Sequence, residues 1–303
     1  MPELPEVETV KRGLEPVLSG ARIARVQQRR PDLRFALPER FVQRLEGRRI
    51  ERLDRRAKYI LGYLDSGEVL TIHLGMTGRF AISQPGGATR SRASGTTGRQ
   101  LGDFAQDAGH DPTHDHVVIE TDAGATVTYN DARRFGYMGL IETRELGTHP
   151  HFKGLGIEPL GNELTPHFLA AQAEGRTSDL KAFLMDQRIV CGLGNIYVCE
   201  ALFRAGLSPT RPAGVLARRG GKPTGRAEKL VPVIRAVLTA AIEAGGSTLR
   251  DYKQTDGSLG YFQHAFAVYG REGEPCARQA CTGTVRRTIQ AGRSTFHCPK
   301  CQK

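Results

Sequence analysis

A cluster of cysteines near the end of the chain is the sequence feature that most restricts how the chain can fold. Of the six cysteines in 303 residues, four lie beyond residue 275. They form two close pairs, Cys276 with Cys281 and Cys298 with Cys301, and a gap the size of a β-hairpin separates the pairs. Four thiolates with this spacing are typical of a closed tetrahedral zinc site. Two disulfides are the alternative, which a reducing cytosol disfavours. We therefore expect one structural Zn²⁺.

The hydrophobic period changes about halfway along the chain. In the first half, short strand-like runs joined by turn residues predict β-hairpins, for example over residues 57–74 and 116–129. From about Leu164, apolar residues recur at helical spacing. We expect an α+β fold in four parts. These are an N-terminal helix with a β-sandwich at 1–142, a linker at 143–163, a helical domain at 164–263 and a zinc finger at 264–303.

The charge of the chain indicates a polyanionic partner. The net charge is +11 and the isoelectric point is about 9.6, with arginines spread over the whole length. No apolar run reaches the length that spans a membrane, and the first residues are too acidic for a signal peptide. We therefore expect an intracellular basic globular protein.

The first six residues, Met1-Pro2-Glu3-Leu4-Pro5-Glu6, combine a proline in second place with two carboxylates. Removal of Met1 would leave Pro2 with a free secondary amine, and an α-amino group has a reference pKa of about 7.7–8.0. Such an amine attacks a carbonyl-like carbon near neutral pH, and Glu3 beside it would donate or accept the proton. The alternative is that Pro5 and Glu6 only begin a first helix, whose positive end they suit.

Four further segments complete a pattern that none of them carries alone. They are Arg55-Arg56-Ala57-Lys58-Tyr59, His73-Leu74-Gly75-Met76-Thr77-Gly78, Asp131-Ala132-Arg133-Arg134-Phe135-Gly136 and Gly192-Leu193-Gly194-Asn195-Ile196-Tyr197. Taken singly, Met76 and Phe135 suit a core and Lys58 suits a solvated surface. Together with the N-terminus and the terminal cysteines, these segments resemble the bacterial formamidopyrimidine-DNA glycosylases over almost the whole chain.

The resemblance implies a fold and an activity. The fold would be a helix with a β-sandwich, then a helical helix-two-turn-helix domain and a C-terminal zinc-finger β-hairpin. The activity would be that of a bifunctional DNA glycosylase and AP lyase, which excises oxidised purines such as 8-oxoguanine and formamidopyrimidines in base excision repair, with β,δ-elimination. The partner would be double-stranded DNA that contains oxidised bases or abasic sites. We expect a monomer in the bacterial cytoplasm, associated with the nucleoid.

The resemblance also implies roles for individual residues. Pro2 would form the Schiff base with the sugar, and Glu3 would act as acid and base for base loss. Lys58 would assist β-elimination, and Arg293 on the zinc hairpin would assist δ-elimination. The segment 253–261 would close over the everted base. Contacts to the DNA backbone fall on His114, Arg133, Arg176, Lys181 and Asn195, and the gap left by the everted nucleotide would be filled by Met76, Arg133 and Phe135.

Two other functions stay open at this point. The sister enzyme for oxidised pyrimidines, endonuclease VIII, shares the N-terminal Pro-Glu and the zinc hairpin. A zinc-ribbon DNA-binding protein without chemistry would leave Pro2, Glu3 and Lys58 unexplained. The chain departs from the family pattern in the four-residue spacer of the first cysteine pair, in Arg176 where lysine is common, and in a long segment at 86–113 that has no assigned role.

Overall fold

The structure is a computed structural model, and it describes residues 2–84, 99–101, 111–247 and 262–303, the short piece 99–101 by its backbone alone. Most of the segment 86–113 and the whole of 253–261 lie outside the described residues. The chain divides into two compact units, Met1–Lys153 with Ala244–Gln263 and Gly154–Glu243 with His264–Lys303. The four-part division drawn from the sequence stays a prediction.

The first unit contains two antiparallel sheets. Their strand orders are β1-β7-β8-β5-β6 and β2-β3-β4-β9. The unit comprises helices α1 (Leu4–Leu18) and α2 (Phe41–Leu45) and strands β1 (Ile23–Gln28), β2 (Ile50–Arg56), β3 (Tyr59–Leu64), β4 (Glu68–His73), β5 (Arg79–Ser83), β6 (Arg99–Leu101), β7 (Asp115–Thr121), β8 (Thr126–Asn130) and β9 (Tyr137–Glu142).

One apolar core joins α1 to both sheets. The buried stripe of α1 includes Val7, Val10 and Leu14, which recur at the three- and four-residue spacing of a helix face. These residues belong to the same cluster as Ile72 of β4 and Val127 of β8, which come from different sheets. Two sheets that share a core form a sandwich, so the predicted helix with a β-sandwich is confirmed.

The second unit is mostly helical. Gly194 precedes α5, and Gly206 ends it with a φ of 74°, a left-handed conformation that glycine adopts without strain. No helix within the described ranges is both long enough and apolar enough to cross a bilayer. The helices are α3 (Pro166–Ala173), α4 (Leu180–Met185), α5 (Asn195–Ala205) and α6 (Gly225–Glu243), and the strands are β10 (Ala217–Arg218), β11 (Lys222–Pro223), β12 (Arg286–Gln290) and β13 (Arg293–His297).

Strands β12 and β13 form the hairpin predicted at the C-terminus. A two-residue turn joins them, with φ of 46° at Ala291 and 72° at Gly292. Positive φ at both positions is the mark of a type I′ turn, whose twist matches that of the flanking strands. Phe296 of β13 packs with Phe203 of α5 and with the cysteines in a small core. The hairpin is therefore attached to the helical part of its own unit, and the predicted fold class is confirmed.

Candidate active site and nucleic-acid interface

The segment that begins the chain is held by a buried carboxylate. Pro2 and Glu3 are both buried, and Glu3 is 4% exposed. The backbone N–H of Glu3 donates to Glu6 Oε2 at 2.9 Å, which is the return half of a capping box. Glu6 Oε1 accepts from the backbone N–H and the hydroxyl of Ser247, each at 2.8 Å. Glu6 therefore fixes the start of α1 to Ser247, although the sequence indicated only a helix start for this residue.

Lys58 lies in the turn between β2 and β3, directly after Ala57, whose φ is 52°. The lysine side chain is 8% exposed. Arg55 donates from Nη1 to the carbonyl of Ala57 at 2.9 Å and from Nε to Glu8 Oε2 of α1 at 3.0 Å. Burial opposes the charge of Glu8, but hydrogen bonds and positive charge from Arg12 and Arg55 outweigh it and lower the pKa of Glu8. The turn of Lys58 is thereby tied to the helix that Pro2 and Glu3 precede.

His73 lies next to this turn and is neutral at physiological pH. It pairs with Tyr59 across β3 and β4. Burial, together with the positive charges of Lys58 and Arg34, lowers the pKa of His73 to about 4. Its Nδ1 accepts the backbone N–H of Gly75 at 3.0 Å, so the remaining proton is on Nε2. In the sequence His73 is only one member of a motif, and the structure places it beside a predicted catalytic lysine.

A pocket of about 170 Å³ opens beside His73. The ring of His151 is 4.4 Å from that of Tyr137 and 6.0 Å from that of Tyr59, so the pocket wall is a packed aromatic cluster. No sequence signal indicates this cluster, because its members come from separate segments without a common motif. The lining residues are Arg34, Phe35, Tyr59, His73, Phe135, Tyr137 and His151.

Met76, Arg133 and Phe135, the residues predicted to fill the gap in the duplex, lie on two adjoining turns. Met76 is 38% exposed and Phe135 is 41% exposed, so neither belongs to the core. The guanidinium of Arg133 lies 4.6 Å from the ring centroid of Phe135. A Cβ atom added at Gly75 would lie 2.3 Å from the carbonyl carbon of Phe135, which shows how closely the two turns approach. The three residues predicted to act together are therefore brought together.

His114 adjoins the turn of Arg133. Its carbonyl oxygen accepts the backbone N–H of Asp131 at 3.0 Å. Its side chain is 39% exposed and lies 3.7 Å from a carboxylate oxygen of Asp111. A half-exposed imidazole at this position is accessible to a phosphate.

Lys181 and Asn195 of the second unit converge on the zinc hairpin. Lys181 is 1% exposed, and its Nζ donates to the carbonyl of Ser294 at 3.2 Å and to Thr295 Oγ1 at 2.6 Å. Asn195 donates from Nδ2 to the same carbonyl at 2.9 Å. Ser294 follows Arg293, whose side chain is exposed at the start of β13. The two residues therefore hold the strand that carries Arg293, and their predicted contacts with the DNA backbone stay predictions.

Arg176 precedes α4 and is exposed. Its Nε donates to the carbonyl of Gln172 at 2.7 Å, and its guanidinium lies 5.7 Å from the ring centroid of Phe183. Because the Arg176 side chain is exposed, its guanidinium suits the phosphate contact predicted for this residue.

The four cysteines Cys276, Cys281, Cys298 and Cys301 fit one structural Zn²⁺. Their sulfur atoms all lie within 4.8 Å of one another. The Sγ atoms of Cys276 and Cys301 are 3.7 Å apart, and those of Cys281 and Cys298 are 3.8 Å apart. A tetrahedron with Zn–S bonds of about 2.3 Å has edges of about 3.8 Å. A Cβ at Gly283 would lie 2.7 Å from the sulfur of Cys298, so this position requires glycine.

The chain is similar to known proteins along its whole length. Residues 1–138 match the formamidopyrimidine-DNA glycosylase N-terminal domain, and residues 155–253 match the formamidopyrimidine-DNA glycosylase H2TH domain. The chain is 57% identical to the formamidopyrimidine-DNA glycosylase of Afipia carboxidovorans, and the match covers 100% of both chains. The crystal structure of the MutM (Fpg) protein from Thermus thermophilus superposes with a TM-score of 0.78 at 38% identity, over 99% of this chain and 98% of that one. Wild-type Lactococcus lactis Fpg (MutM) in complex with DNA that contains N7-benzyl-Fapy-dG gives a TM-score of 0.80 at 29% identity, over 100% of each chain.

Proposed function

Because the chain belongs to the formamidopyrimidine-DNA glycosylase family, we propose that it is a bifunctional DNA glycosylase and abasic-site lyase for oxidised purines. The observation that carries the proposal is the buried Pro2-Glu3 start, held by Glu6 at the head of a chain that matches this family over its full length. The name that the relatives carry, formamidopyrimidine-DNA glycosylase, favours purines over oxidised pyrimidines. The Lactococcus lactis enzyme is found in complex with DNA of both kinds, one with a formamidopyrimidine lesion and one with an oxidised pyrimidine. A zinc-ribbon protein without chemistry would not need this N-terminal segment.

Pro2 and Glu3 would carry out base removal. After loss of Met1, the secondary amine of Pro2 attacks C1′ of the damaged nucleotide, and the bond from C1′ to the base breaks. The amine then loses its proton, and the C1′–O4′ bond opens with protonation of O4′. The product is an iminium whose permanent positive charge acts as an electron sink. Glu3 would supply the proton that the departing base and the opened sugar require, because its carboxyl group lies next to the amine in sequence and is shielded from water.

Lys58 and Arg293 would assist the elimination steps that follow. We assign β-elimination to Lys58, whose turn is tied through Arg55 and Glu8 to the helix that follows Glu3. We assign δ-elimination to Arg293, whose strand is held by Lys181 and Asn195. The bound Zn²⁺ would supply folding energy to the hairpin and no chemistry, because four thiolates leave it no open position.

The exposed cations and apolar side chains would hold a distorted duplex. His114, Arg133 and Arg176 are exposed or half-exposed and can contact phosphates, which carry most of the affinity of such complexes. The target nucleotide must leave the base stack before its sugar can be attacked, and apolar wedges stabilise such openings. Met76 and Phe135 are suitable wedges because they are apolar and protrude. The proposal includes action as a monomer in the bacterial cytoplasm, in association with the nucleoid.

The experiment that tests this function is trapping of the covalent intermediate. Borohydride added during reaction with 8-oxoguanine duplex should reduce the iminium and give one protein–DNA adduct, which peptide mapping should place on Pro2 of a chain that lacks Met1. Pro2→Gly should reduce trapping and excision strongly, and Lys11→Ala, which removes the α1 amine that pairs with Glu15, serves as the control. An adduct on a lysine, with Pro2→Gly as active as the wild type, would exclude the assignment.

A further inference from the structure

The two turns that carry the gap-filling residues share a buried carboxylate. Asp131 is fully buried, and its Oδ2 accepts the backbone N–H of Gly136 at 2.8 Å and the hydroxyl of Tyr129 at 3.3 Å. Its Oδ1 accepts the hydroxyl of Thr77, which comes from the other turn. The carboxylate thus connects the residue after Met76 to the residue after Phe135.

The hydroxyl of Thr77 connects the turns in both directions. It donates to Asp131, and it accepts the backbone N–H of Arg133 at 3.2 Å. A side chain that donates and accepts at once fixes two neighbours relative to each other. Thr77 therefore sets the distance between the turn of Met76 and the backbone of Arg133.

The backbone of Asp131 is fixed as firmly as its side chain. Its carbonyl accepts Nε2 of His116 at 2.9 Å and the backbone N–H of Arg134 at 3.2 Å, while its own N–H donates to His114. Burial and the negative charge of Asp131 raise the pKa of Tyr129 well above its usual value, so this hydroxyl stays protonated and donates. A carboxylate with neutral donors on both oxygens in a dry site permits very little displacement.

We propose that Asp131 and Thr77 are positioning residues that hold Met76, Arg133 and Phe135 at the mutual distances required to fill the gap in the duplex. The proposal rests on the gap-filling role given to these three residues in the proposed function. Asp131 and Thr77 themselves are buried or half-buried and need not touch DNA. Their effect is on the step in which a paired base leaves the stack, because that is the step in which an empty gap draws the base back.

The test is Thr77→Val, which keeps the shape of the side chain and removes its donor and acceptor. Single-turnover excision of 8-oxoguanine from duplex DNA should slow by about tenfold, the size of effect expected for loss of a hydrogen bond to a buried carboxylate. Strand cleavage at a preformed abasic site should slow by about twofold or less, since no base remains to be everted. Thr77→Ser restores the hydroxyl and should restore the ratio of the two rates.

Thr121→Val is the matched control. Thr121 is a buried threonine of the same unit, and its hydroxyl accepts the backbone N–H of Ala125 at 3.1 Å and lies 3.3 Å from the carbonyl of that residue. The substitution removes the same chemical group at the turn between β7 and β8. It should lower the melting temperature by a similar amount and leave the ratio of the two rates unchanged.

The outcomes separate the positioning role from the function on which it rests. Equal slowing of both reactions by Thr77→Val, or a change of ratio that Thr121→Val reproduces, would overturn the positioning role. Phe135→Ala distinguishes failure of the positioning role from failure of the gap-filling role. If Phe135→Ala slows excision while Thr77→Val does not, the positioning role is refuted and the gap-filling role stands. If Phe135→Ala leaves excision unchanged, the positioning role and the gap-filling role are both refuted.

Discussion

Gly75→Ala tests the close approach of the turn of Met76 to the turn that carries Arg133 and Phe135. Gly75 has a φ of 66°, and an added Cβ would lie 2.3 Å from the carbonyl carbon and 2.4 Å from the carbonyl oxygen of Phe135. A left-handed conformation costs a residue other than glycine about 1–2 kcal/mol. Displacement of well-packed backbone costs about 1–3 kcal/mol more. We therefore expect Gly75→Ala to lower the free energy of unfolding by about 2–5 kcal/mol.

Gly67→Ala isolates the cost of the backbone conformation. Gly67 has a φ of 83° in the turn between β3 and β4, and no atom lies within 4 Å of an added Cβ. This variant should lose only the conformational part, about 1–2 kcal/mol. The difference between the two variants then measures the contact between the turns. Urea unfolding, measured on the transition of the first unit, gives the free energy of unfolding of each variant.

The same pair of variants separates a structural effect from a functional one. Gly75→Ala must push the backbone of Phe135 away from Met76, so we expect slower excision of 8-oxoguanine from duplex DNA. Gly67→Ala lies outside this contact and should excise at the rate of the wild type in single-turnover assays. Equal losses of unfolding free energy in the two variants, or equal excision rates, would refute the close packing of the two turns.

Two other substitutions test the zinc hairpin and the gap-filling role proposed for Phe135. Cys298→Ala should release the metal and unfold the hairpin alone, because the binding energy of a structural site is local folding energy. A chromogenic chelator measures the release of zinc, and a DNA-binding assay measures the effect of losing the hairpin. Full DNA affinity after complete zinc loss would contradict it. Phe135→Ala should slow excision from duplex DNA strongly and cleavage at a preformed abasic site much less, with an unchanged melting curve because the ring is 41% exposed. Equal slowing of both reactions with a lowered melting temperature would show that Phe135 acts as a core residue and would refute its gap-filling role.

The local features of this protein could be predicted from its sequence. The four cysteines predicted their own cluster, because metal ligands on a hairpin are close in sequence. The helical spacing of apolar residues beyond Leu164 predicted helices in the second half of the chain, among them α6, although α6 begins at Gly225, ahead of Leu230, the first large apolar residue of its stripe. The pattern missed this first turn because Gly225 and Arg226 show no apolar periodicity.

The long-range features could not be predicted in this way. A lysine such as Lys181 is expected to be solvated or to bind a phosphate. Its ammonium is instead buried against Ser294 and Thr295, which lie more than a hundred positions later in the chain. His151 joins Tyr59 and Tyr137 only because the strands bring their segments together. Such contacts depend on tertiary packing, and neither residue type nor periodicity encodes them.

The surface proposed to fill the gap, formed by Met76, Arg133 and Phe135, has exposed side chains above buried or half-buried ones, and we expect the two kinds to respond differently to mutation. Met76 and Phe135 project into solvent, so truncation of either removes little of the packing that stabilises the fold. Asp131 and Thr77 lie beneath them, where an unpaired donor or acceptor costs about 1–3 kcal/mol. Substitutions of the exposed pair should therefore lower excision at constant stability, whereas substitutions of the underlying pair should lower both. A plot of excision rate against unfolding free energy for the four positions would separate the two groups, and a single common line would mean that the exposed residues act only through stability.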